Sequence, residues 1–267
     1  MTSGTKRRTW SPPPLIRNPW LRWGLLLGGV AYLLLAGASI EIDGARIAAG
    51  WPRTQRLFGD FFRPDFVTRW TDIRIGLLES ITMTVVSTAV GVVLAVPVSL
   101  GAARNLAPTP VYLMCRAFVI LARTFPEVIV ALVFVVMVGF GPLAGVITLT
   151  LASIGFIAKL LAEDIEEIDA EQLEALRATG ASTSKVILYA VVPQVTARFI
   201  GLSAYRLDIN FRESAILGIV GAGGIGATLR TSMQRYDFDT AGAILALVIV
   251  IVLLLEFGSS VLRKWVQ

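Results

Sequence analysis

Long apolar runs separated by short polar stretches form the main pattern of this chain. A helix of about 20 predominantly apolar residues is long enough to cross the hydrocarbon core of a bilayer. Six segments approach or exceed that length, one of them interrupted by polar residues, and we predict spans at 20–40, 76–100, 111–139, 143–161, 193–217 and 241–262. The alternative for the run at 20–40, a cleaved signal peptide, fits less well because the apolar core is too long. The pattern therefore predicts an all-α polytopic membrane protein with about six transmembrane helices.

The segments outside these runs set the predicted topology. An even number of spans places both termini on one side, and the basic tail at 1–19 argues that this side is the cytoplasm. Residues 41–75 alternate arginines with aromatic residues, as in a segment that lies on the bilayer surface, and are assigned to the outside. Charge supports this orientation only weakly, because segment 41–75 is as basic as the tail. We thus predict a cytoplasmic tail, a first span, an extracytoplasmic interfacial segment, a core at 76–262 and a cytoplasmic C-terminus at 263–267.

The composition narrows the function classes. At 55% hydrophobic and 16% charged residues, the chain is too apolar for a soluble domain. Its formal net charge of +5 suits contact with anionic lipid headgroups. The high apolar content makes nucleic acid a much weaker candidate as a binding partner. Histidine, the usual general base and commonest metal ligand, is absent, and no metal-ligand cluster or phosphate-binding loop occurs in the sequence. We therefore expect no catalytic residue, no metal site and no bound cofactor in this chain.

A polar stretch at 171–193 separates the fourth and fifth predicted spans. Asp169 can cap a helix with Gln172 at the capping-box position, and Gly180 can supply the left-handed residue that ends it. Ser182 can then cap a second short helix that runs to the proline at the end of the stretch. Two short helices hinged at a glycine predict a water-facing docking element for a partner protein.

The third predicted span carries ionisable residues. Arg116, Arg123 and Glu127 fall at i, i+7 and i+11, which predicts one polar stripe on a straight helix. Charged groups at membrane depth tend to face the protein interior or a water-filled path, so the stripe favours a solute pathway. An alternative of equal weight is that these residues form a structural ion pair beside a kinked helix end, because Pro126 kinks or breaks the helix.

The fifth predicted span becomes polar towards its end. Arg206, Asn210 and Glu213 recur at i, i+4 and i+7, while Asp208 and Arg212 form a pair on the opposite side. Polar groups on two faces favour a pathway or gate. The alternative is that the helix emerges into the headgroup region here.

A glycine-rich run at 218–226 follows the fifth span. Gly221, Gly223 and Gly226 match the dinucleotide-binding pattern G-x-G-x-x-G, but no strand precedes them and membrane spans flank them. The glycines instead indicate irregular backbone at membrane depth. Either the freed N–H groups face an anion or another helix approaches closely, so Gly221, Gly223 and Gly224 are candidate pathway residues.

The polar stretch resembles the EAA loop of ABC importer permeases. It forms the greater part of a predicted loop at 163–193. The family pattern is E-A-A, three residues, G, nine residues, I-x-L-P, and this chain reads E-A-L, three residues, G, nine residues, A-V-V-P from Glu174 to Pro193. Leu176, Ala190 and Val192 depart from the pattern to other apolar residues. The resemblance implies these ATPase-coupling residues: Glu174, Ala175, Leu176, Gly180, Ala181 and Pro193.

Three further segments, 102–106, 123–127 and 210–226, look like the phosphonate-type permeases of that superfamily. The resemblance implies a type I ABC importer fold and a permease dimer, with a homodimer expected. It also implies two cytoplasmic ATPase subunits, which use ATP and Mg²⁺, and an extracytoplasmic solute-binding protein. In such importers the EAA helix sits in a groove of the ATPase, which transmits closure of the ATPase to the spans.

We therefore expect the transmembrane subunit of an importer for phosphonate or a related phosphorus oxyanion, phosphate or phosphite, in the bacterial inner membrane. Arginines at 123, 206 and 212 suit such a cargo because guanidinium binds oxyanions in a bidentate way, although Glu127 and Glu213 argue against a cationic funnel. The alternatives are the same machine with another cargo such as an amino acid, a non-ABC channel or scaffold, and, third, a membrane enzyme.

Overall fold

The computed structural model describes residues 18–39 and 44–266. Within these residues the regular structure is helical, in this order: α1 (Pro19–Ser39), α2 (Gly44–Phe61), α3 (Trp70–Ala102), α4 (Thr109–Thr124), α5 (Glu127–Val138), α6 (Pro142–Glu166), α7 (Ala170–Ala178), α8 (Thr183–Val186), a π-helical turn (Ile187–Val191), α9 (Val192–Ile219), α10 (Ile225–Gln234) and α11 (Phe238–Val266). The predicted tail at 1–19 lies almost entirely outside the described residues, as does the last residue of the predicted C-terminus.

The chain divides into two units, residues 1–55 and 56–267. The first unit contains α1 and most of α2, and no described residue of either helix is buried. The second unit contains the helices from α3 to α11. The functional residues considered below all belong to this second unit.

Length and hydropathy identify the helices that can cross a membrane. In the described part of the chain, five helical segments qualify: α1, α3, α6, α11 and the continuous segment Thr183–Ile219. Helices α4 and α5 qualify together as a sixth span, bent by 93° at their junction. The prediction of an all-α chain with about six spans is confirmed.

Several boundaries differ from the predicted ones. Helix α3 begins at Trp70, so the end of segment 41–75 belongs to a helix. Helix α10 was not predicted, although Ile225, Leu229 and Met233 recur in it at helical spacing. Helix α11 begins at Phe238, three residues before the predicted start of the last span, and the Asp239 carboxylate in its first turn accepts a hydrogen bond from the Thr240 N–H at 2.7 Å.

Helix α6 lies at the centre of the second unit and packs against α3, α4, α5 and α9. Small residues allow α3 and α6 to approach closely: a Cβ atom added to Gly91 would lie 2.5 Å from the Cβ of Ser153. Gly155 likewise faces Ala122 of α4. Close approach through small residues stabilises helix pairs in lipid, where no hydrophobic driving force acts between helices.

Candidate functional site

The helix of the EAA-like loop, α7, has the ends that the sequence predicts. The Asp169 carboxylate accepts a hydrogen bond from the Glu171 N–H at 3.0 Å and caps the first turn. After the last turn, Gly180 has a φ of +77° and donates its N–H to the Arg177 carbonyl at 3.0 Å. A left-handed residue at this position favours glycine because it has no Cβ.

The predicted capping box does not form. Gln172 does not reach back to the Asp169 N–H, because Gln194 of α9 takes that place and accepts the bond through its Oε1 at 3.1 Å. The Gln194 amide also donates to Gln172 Oε1 at 3.3 Å and to the Ala190 carbonyl at 2.9 Å. One glutamine therefore joins the start of α7 to the start of α9.

The second predicted short helix does not end at Pro193. Ser182 precedes α8 without a side-chain capping bond, and the chain continues through the π-helical turn directly into α9. Pro193 lacks an N–H and would break an uninterrupted α-helix. The π-helical turn immediately before it, in which Val192 donates to the Ile187 carbonyl, lets the helix continue.

The loop lies against the helix bundle through an apolar cluster: Ala103, Leu161, Ile165, Leu173, Val186, Ala190 and Val191. Leu176 and Ala181 are partly buried against this cluster, which gives the departure from alanine at position 176 a packing role. Glu174 and Ala175, on the other side of α7, are exposed, as are Gly180 and Pro193. The outer side of this loop is therefore exposed, and its contact with water or a partner stays a prediction.

A second set of hydrogen bonds ties α7 to the turn between α3 and α4. Arg177 donates to the Asn105 carbonyl at 2.9 Å, and the Asn105 amide donates to the Ile165 carbonyl at 2.7 Å. The Glu166 carboxylate accepts from the Arg104 N–H at 2.7 Å. The bonds join α7, the α3–α4 turn and the end of α6 into one supported structure.

Arg116 belongs to that supporting structure. Its Nη2 donates to both carboxylate oxygens of Glu166 at 2.9 Å, and its Nε donates to the Ala102 carbonyl at 2.9 Å. Arg116 therefore holds the end of α6 against the end of α3.

The predicted stripe of Arg116, Arg123 and Glu127 holds only for the two arginines, which line one groove along α4, and Glu127 does not belong to it. The chain bends by 93° between α4 and α5 at Phe125 and Pro126, both in extended backbone conformations. A residue before proline is pushed away from helical dihedrals, and proline removes a helix hydrogen bond. The bend separates the helix faces, so Glu127 contacts α9 while Arg123 stays on the surface of α4.

A polar network, buried except for the partly exposed Glu127 and Glu213, joins four helices: Ser87 and Thr88 of α3, Glu127 of α5, Ser153 of α6, and Arg206, Asn210 and Glu213 of α9. We call these seven residues the polar centre. The Asn210 amide donates to Thr88 Oγ1 at 2.7 Å and to Ser153 Oγ at 2.9 Å. Arg206 donates through Nε to Ser153 Oγ at 3.0 Å and through Nη2 to Glu127 at 3.1 Å.

The charges of the polar centre are balanced around one buried arginine. The Arg206 side chain is only 3% exposed. Its Nη2 atom lies 3.1 Å from Oε1 of Glu127 and 3.8 Å from Oε2 of Glu213. The stripe of Arg206, Asn210 and Glu213 on one face of α9 is thus confirmed, and so is the Asp208–Arg212 pair on another face. Two carboxylates beside one guanidinium leave no surplus positive charge here.

The glycine run forms a tight loop between α9 and α10. Gly221, Gly223 and Gly224 have φ values of +101°, +77° and +75°. A Cβ atom on Gly221 would lie 2.5 Å from the Phe140 ring, and one on Gly223 would lie 2.6 Å from the Pro142 nitrogen. These distances support the close-approach interpretation of the glycines.

Several N–H groups of this loop already have protein partners. Gly221 donates to the Gly218 carbonyl at 3.1 Å, and Gly224 donates to the Glu79 carboxylate at 2.9 Å. The N–H of Ile225 donates to Ser80 Oγ at 2.9 Å. The alternative interpretation, in which freed N–H groups bind an anion, has little support from this conformation.

Sequence reasoning missed the hydroxyl groups that complete the polar centre. A signal was present in α3, where Ser80, Thr84, Ser87 and Thr88 recur at helical spacing on one buried face. Ser153 had no comparable signal, because small residues occur throughout α6. Glu166 and Gln194 were also missed, since each meets its partner only through tertiary packing.

The comparisons with known proteins agree with this architecture. The family model described as "Binding-protein-dependent transport system inner membrane component" matches residues 91–267. The phosphite transport system permease protein PtxC of Stutzerimonas stutzeri is 39% identical over 94% of this chain and 93% of its own length. The phosphate-import permease protein PhnE of Mycolicibacterium smegmatis is 41% identical over 78% of this chain and 39% of its own length.

A solved structure shares the fold. An inward-facing conformation of the MetNI methionine ABC transporter has a chain that matches with a TM-score of 0.67 and 26% identity, over 76% of this chain and 99% of that one. The family match covers well over half of the sequence, and the matched region holds the EAA-like loop, the polar centre on α5, α6 and α9, and the glycine loop. This chain therefore belongs to the family of binding-protein-dependent transport system inner membrane components, the permease subunits of ABC importers.

Proposed function

We propose that this chain is the transmembrane subunit of an ATP-driven importer for phosphorus oxyanions, with phosphite, phosphonate and phosphate as candidate cargoes. The names of the relatives PtxC and PhnE support this substrate class. The observation that carries the mechanism is the continuous helical segment Thr183–Ile219, which contains Arg206, Asn210 and Glu213. It starts in the EAA-like loop at 163–193, which we propose as the coupling loop to the ATPase. A movement of the loop therefore reaches the polar centre through one helix.

The outer side of α7 is the proposed contact with the ATPase subunit. Glu174 and Ala175 are exposed there, while Leu173 anchors the opposite side at 4% exposure. When the ATPase subunits close on nucleotide, they displace α7, and Gln194 passes this displacement to α9 because it bonds both helices. Arg206 lies about 18 Å further along α9 at 1.5 Å per residue.

The bend between α4 and α5 is the proposed second element of the switch. Glu127 is the first residue of α5, so any change in the bend changes its distance from Arg206. A phosphorus oxyanion can then replace Glu127 as the partner of the buried guanidinium, with two parallel hydrogen bonds. The exchange keeps the buried charge paired throughout, which avoids the large cost of an isolated ion.

The proposed assembly has two permease copies, two ATPase subunits and an extracytoplasmic solute-binding protein in the lipid bilayer. ATP and Mg²⁺ are used by the ATPase, and this chain carries no catalytic residue and binds no nucleic acid. Both termini and the coupling loop face the cytoplasm. The segment before α3, residues 44–69, lies on the outer face of the membrane in this proposal.

The test is uptake into proteoliposomes that contain the permease with its ATPase and binding protein. Phosphite, methylphosphonate, phosphate and methionine are compared at equal concentrations, with and without ATP. We expect ATP-dependent uptake of at least one phosphorus oxyanion and none of methionine. Methionine uptake alone would establish the amino-acid alternative, and ATP-independent flux of every solute would establish a channel.

A further inference from the structure

A groove between α4 and α6 contains three cationic side chains and no acidic one. It has a volume of about 300 Å³ and is lined by Arg116, Val119, Ile120, Arg123, Thr124 and Lys159. We call it the cationic groove. It begins beside the Arg116–Glu166 pair at the end of α6 and extends along α4 towards the bend.

The three cations differ in how well their charges are balanced. Arg116 is paired with Glu166 at 2.9 Å, and Lys159 lies 3.6 Å from Glu163 with both side chains 40% exposed. Arg123 forms no ion pair or hydrogen bond among the residues that the structure describes, and its guanidinium lies 5.9 Å from the centre of the Phe156 ring. The groove therefore contains one uncompensated positive charge, beside a lysine that is only weakly paired.

The position of Arg123 favours an external partner. It follows Arg116 by seven residues, which places it about 10 Å further along α4. An ionisable group at membrane depth is costly unless it is paired or lines a wet cavity. A guanidinium has five donors in a planar fork, and this fork matches the geometry of phosphate-type oxygens.

The apolar residues that line the groove also agree with a phosphate-type ligand. Val119 is buried, and Ile120 is 62% exposed beside the cations. An apolar wall beside an unpaired guanidinium fits a phosphate group, either in the headgroup of an anionic phospholipid whose acyl chains cover α4 or as a free phosphorus oxyanion. We propose that the cationic groove binds a phosphate-type oxyanion through Arg123, with Lys159 as the second donor. For the free anion, this inference rests on the proposed function.

Two probes distinguish the two sources of phosphate. Binding of phosphatidylglycerol to the full-length permease in detergent is measured by native mass spectrometry, with phosphatidylcholine as the neutral comparison. Binding of phosphite and phosphate is measured by the shift in thermal unfolding of the same protein. The variants are Arg123→Gln and Lys159→Gln, and Arg74→Gln is the matched control because Arg74 is an exposed arginine on α3, outside the groove.

We expect Arg123→Gln to weaken binding of one probe by about tenfold, the effect of a lost charge-assisted hydrogen bond. Lys159→Gln should have a smaller effect and Arg74→Gln none. Loss of phosphatidylglycerol binding identifies a lipid site, and loss of the phosphite or phosphate shift identifies a site for the free anion. Equal binding by wild type and Arg123→Gln, or no binding of either probe, overturns the inference.

Uptake by the reconstituted complex is measured in parallel, so that the two proposals can fail separately. If the wild type imports phosphite but neither probe depends on Arg123, the groove inference is wrong and the proposed function stands. If the wild type imports no phosphorus oxyanion but phosphatidylglycerol binding depends on Arg123, the proposed function is wrong and the groove inference stands.

Discussion

Arg206 on α9 places its Nη2 atom 3.1 Å from a carboxylate oxygen of Glu127, the first residue of α5, although the two residues are 79 positions apart. The pair joins the helix that leaves the coupling loop to the helix that follows the 93° bend. It therefore connects the helix that continues from the proposed ATPase contact with the helix that follows the bend. The first prediction tests this pair.

Replacing Arg206 with glutamine removes the counter-ion of two carboxylates. We expect the free energy of unfolding to fall by about 3 kcal/mol, because breaking a buried pair leaves uncompensated charge. Uptake of phosphorus oxyanions should be lost as well. Thermal unfolding of the purified permease and uptake into proteoliposomes measure the two effects. Glu127→Gln should cost less, since Glu213 still lies 3.8 Å from Arg206, and a larger loss in Glu127→Gln than in Arg206→Gln would contradict this model.

Gly180 tests the shape of the coupling loop. Its φ is +77°, and no atom lies within 4 Å of an added Cβ, so a substitution there strains the backbone without a clash. We expect Gly180→Val to cost about 1–2 kcal/mol and to reduce ATPase stimulation by the binding protein. Gly180→Asn is the control, because asparagine tolerates the left-handed region. Equal coupling in both variants would show that the glycine turn is not required.

Two alanine substitutions in the glycine loop are expected to lower the free energy of unfolding by different amounts. Gly223→Ala brings a Cβ to 2.6 Å from the Pro142 backbone nitrogen, which cannot move easily. Gly221→Ala brings a Cβ to 2.5 Å from the ring of Phe140, which is 82% exposed and free to rotate away. We expect unfolding free energies lower by about 3 kcal/mol for Gly223→Ala and about 1–2 kcal/mol for Gly221→Ala.

A second substitution separates the clash from the backbone strain in this loop. Phe140→Ala should recover part of the stability that Gly221→Ala loses, because it removes the ring that the new Cβ meets. It should recover nothing in Gly223→Ala. Thermal unfolding of the single and double variants measures the coupling, and recovery in both backgrounds would show that the loop moves as a whole.

Asn210 tests the hydrogen bonds that cross the helix bundle. Its amide donates to Thr88 on α3 and Ser153 on α6, and the residue is fully buried. We expect Asn210→Leu to lower the free energy of unfolding by about 1 kcal/mol, the usual scale of interhelical hydrogen bonds in membranes. Ser203→Ala on the same helix removes only a local bond to the Phe199 carbonyl and should be close to neutral. Equal effects of the two variants would show that the interhelical hydrogen bonds of Asn210 contribute no more to stability than the local bond of Ser203.

Most of the helical architecture could be predicted, because apolar length and capping residues are local signals. The spans follow from hydropathy, and the ends of α7 follow from Asp169 and Gly180, whose backbone requirements depend on a few neighbouring residues. The continuation through Pro193 could not be predicted, since proline normally ends a helix and the π-helical turn offers an exception that depends on packing.

The candidate site was predictable only in part, because helical periodicity is a local signal and the packing between helices is not. Helical periodicity places Arg206, Asn210 and Glu213 on one face because these residues share one uninterrupted helix. The same rule wrongly added Glu127 to Arg116 and Arg123, because the bend at Phe125 and Pro126 lies between Arg123 and Glu127. Periodicity holds only within one helix.

The sequence by itself determined the helical class, the spans, the EAA-like loop with its glycine turn and the resemblance to ABC importer permeases. Only the tertiary structure decided which charges meet: Arg116 with Glu166, Arg206 with Glu127, and Arg123 with no ionic partner among the described residues. Local signals set an element because neighbouring residues share its backbone. Ion pairs between helices depend on the bends and crossing positions of whole helices, and distant packing sets those positions.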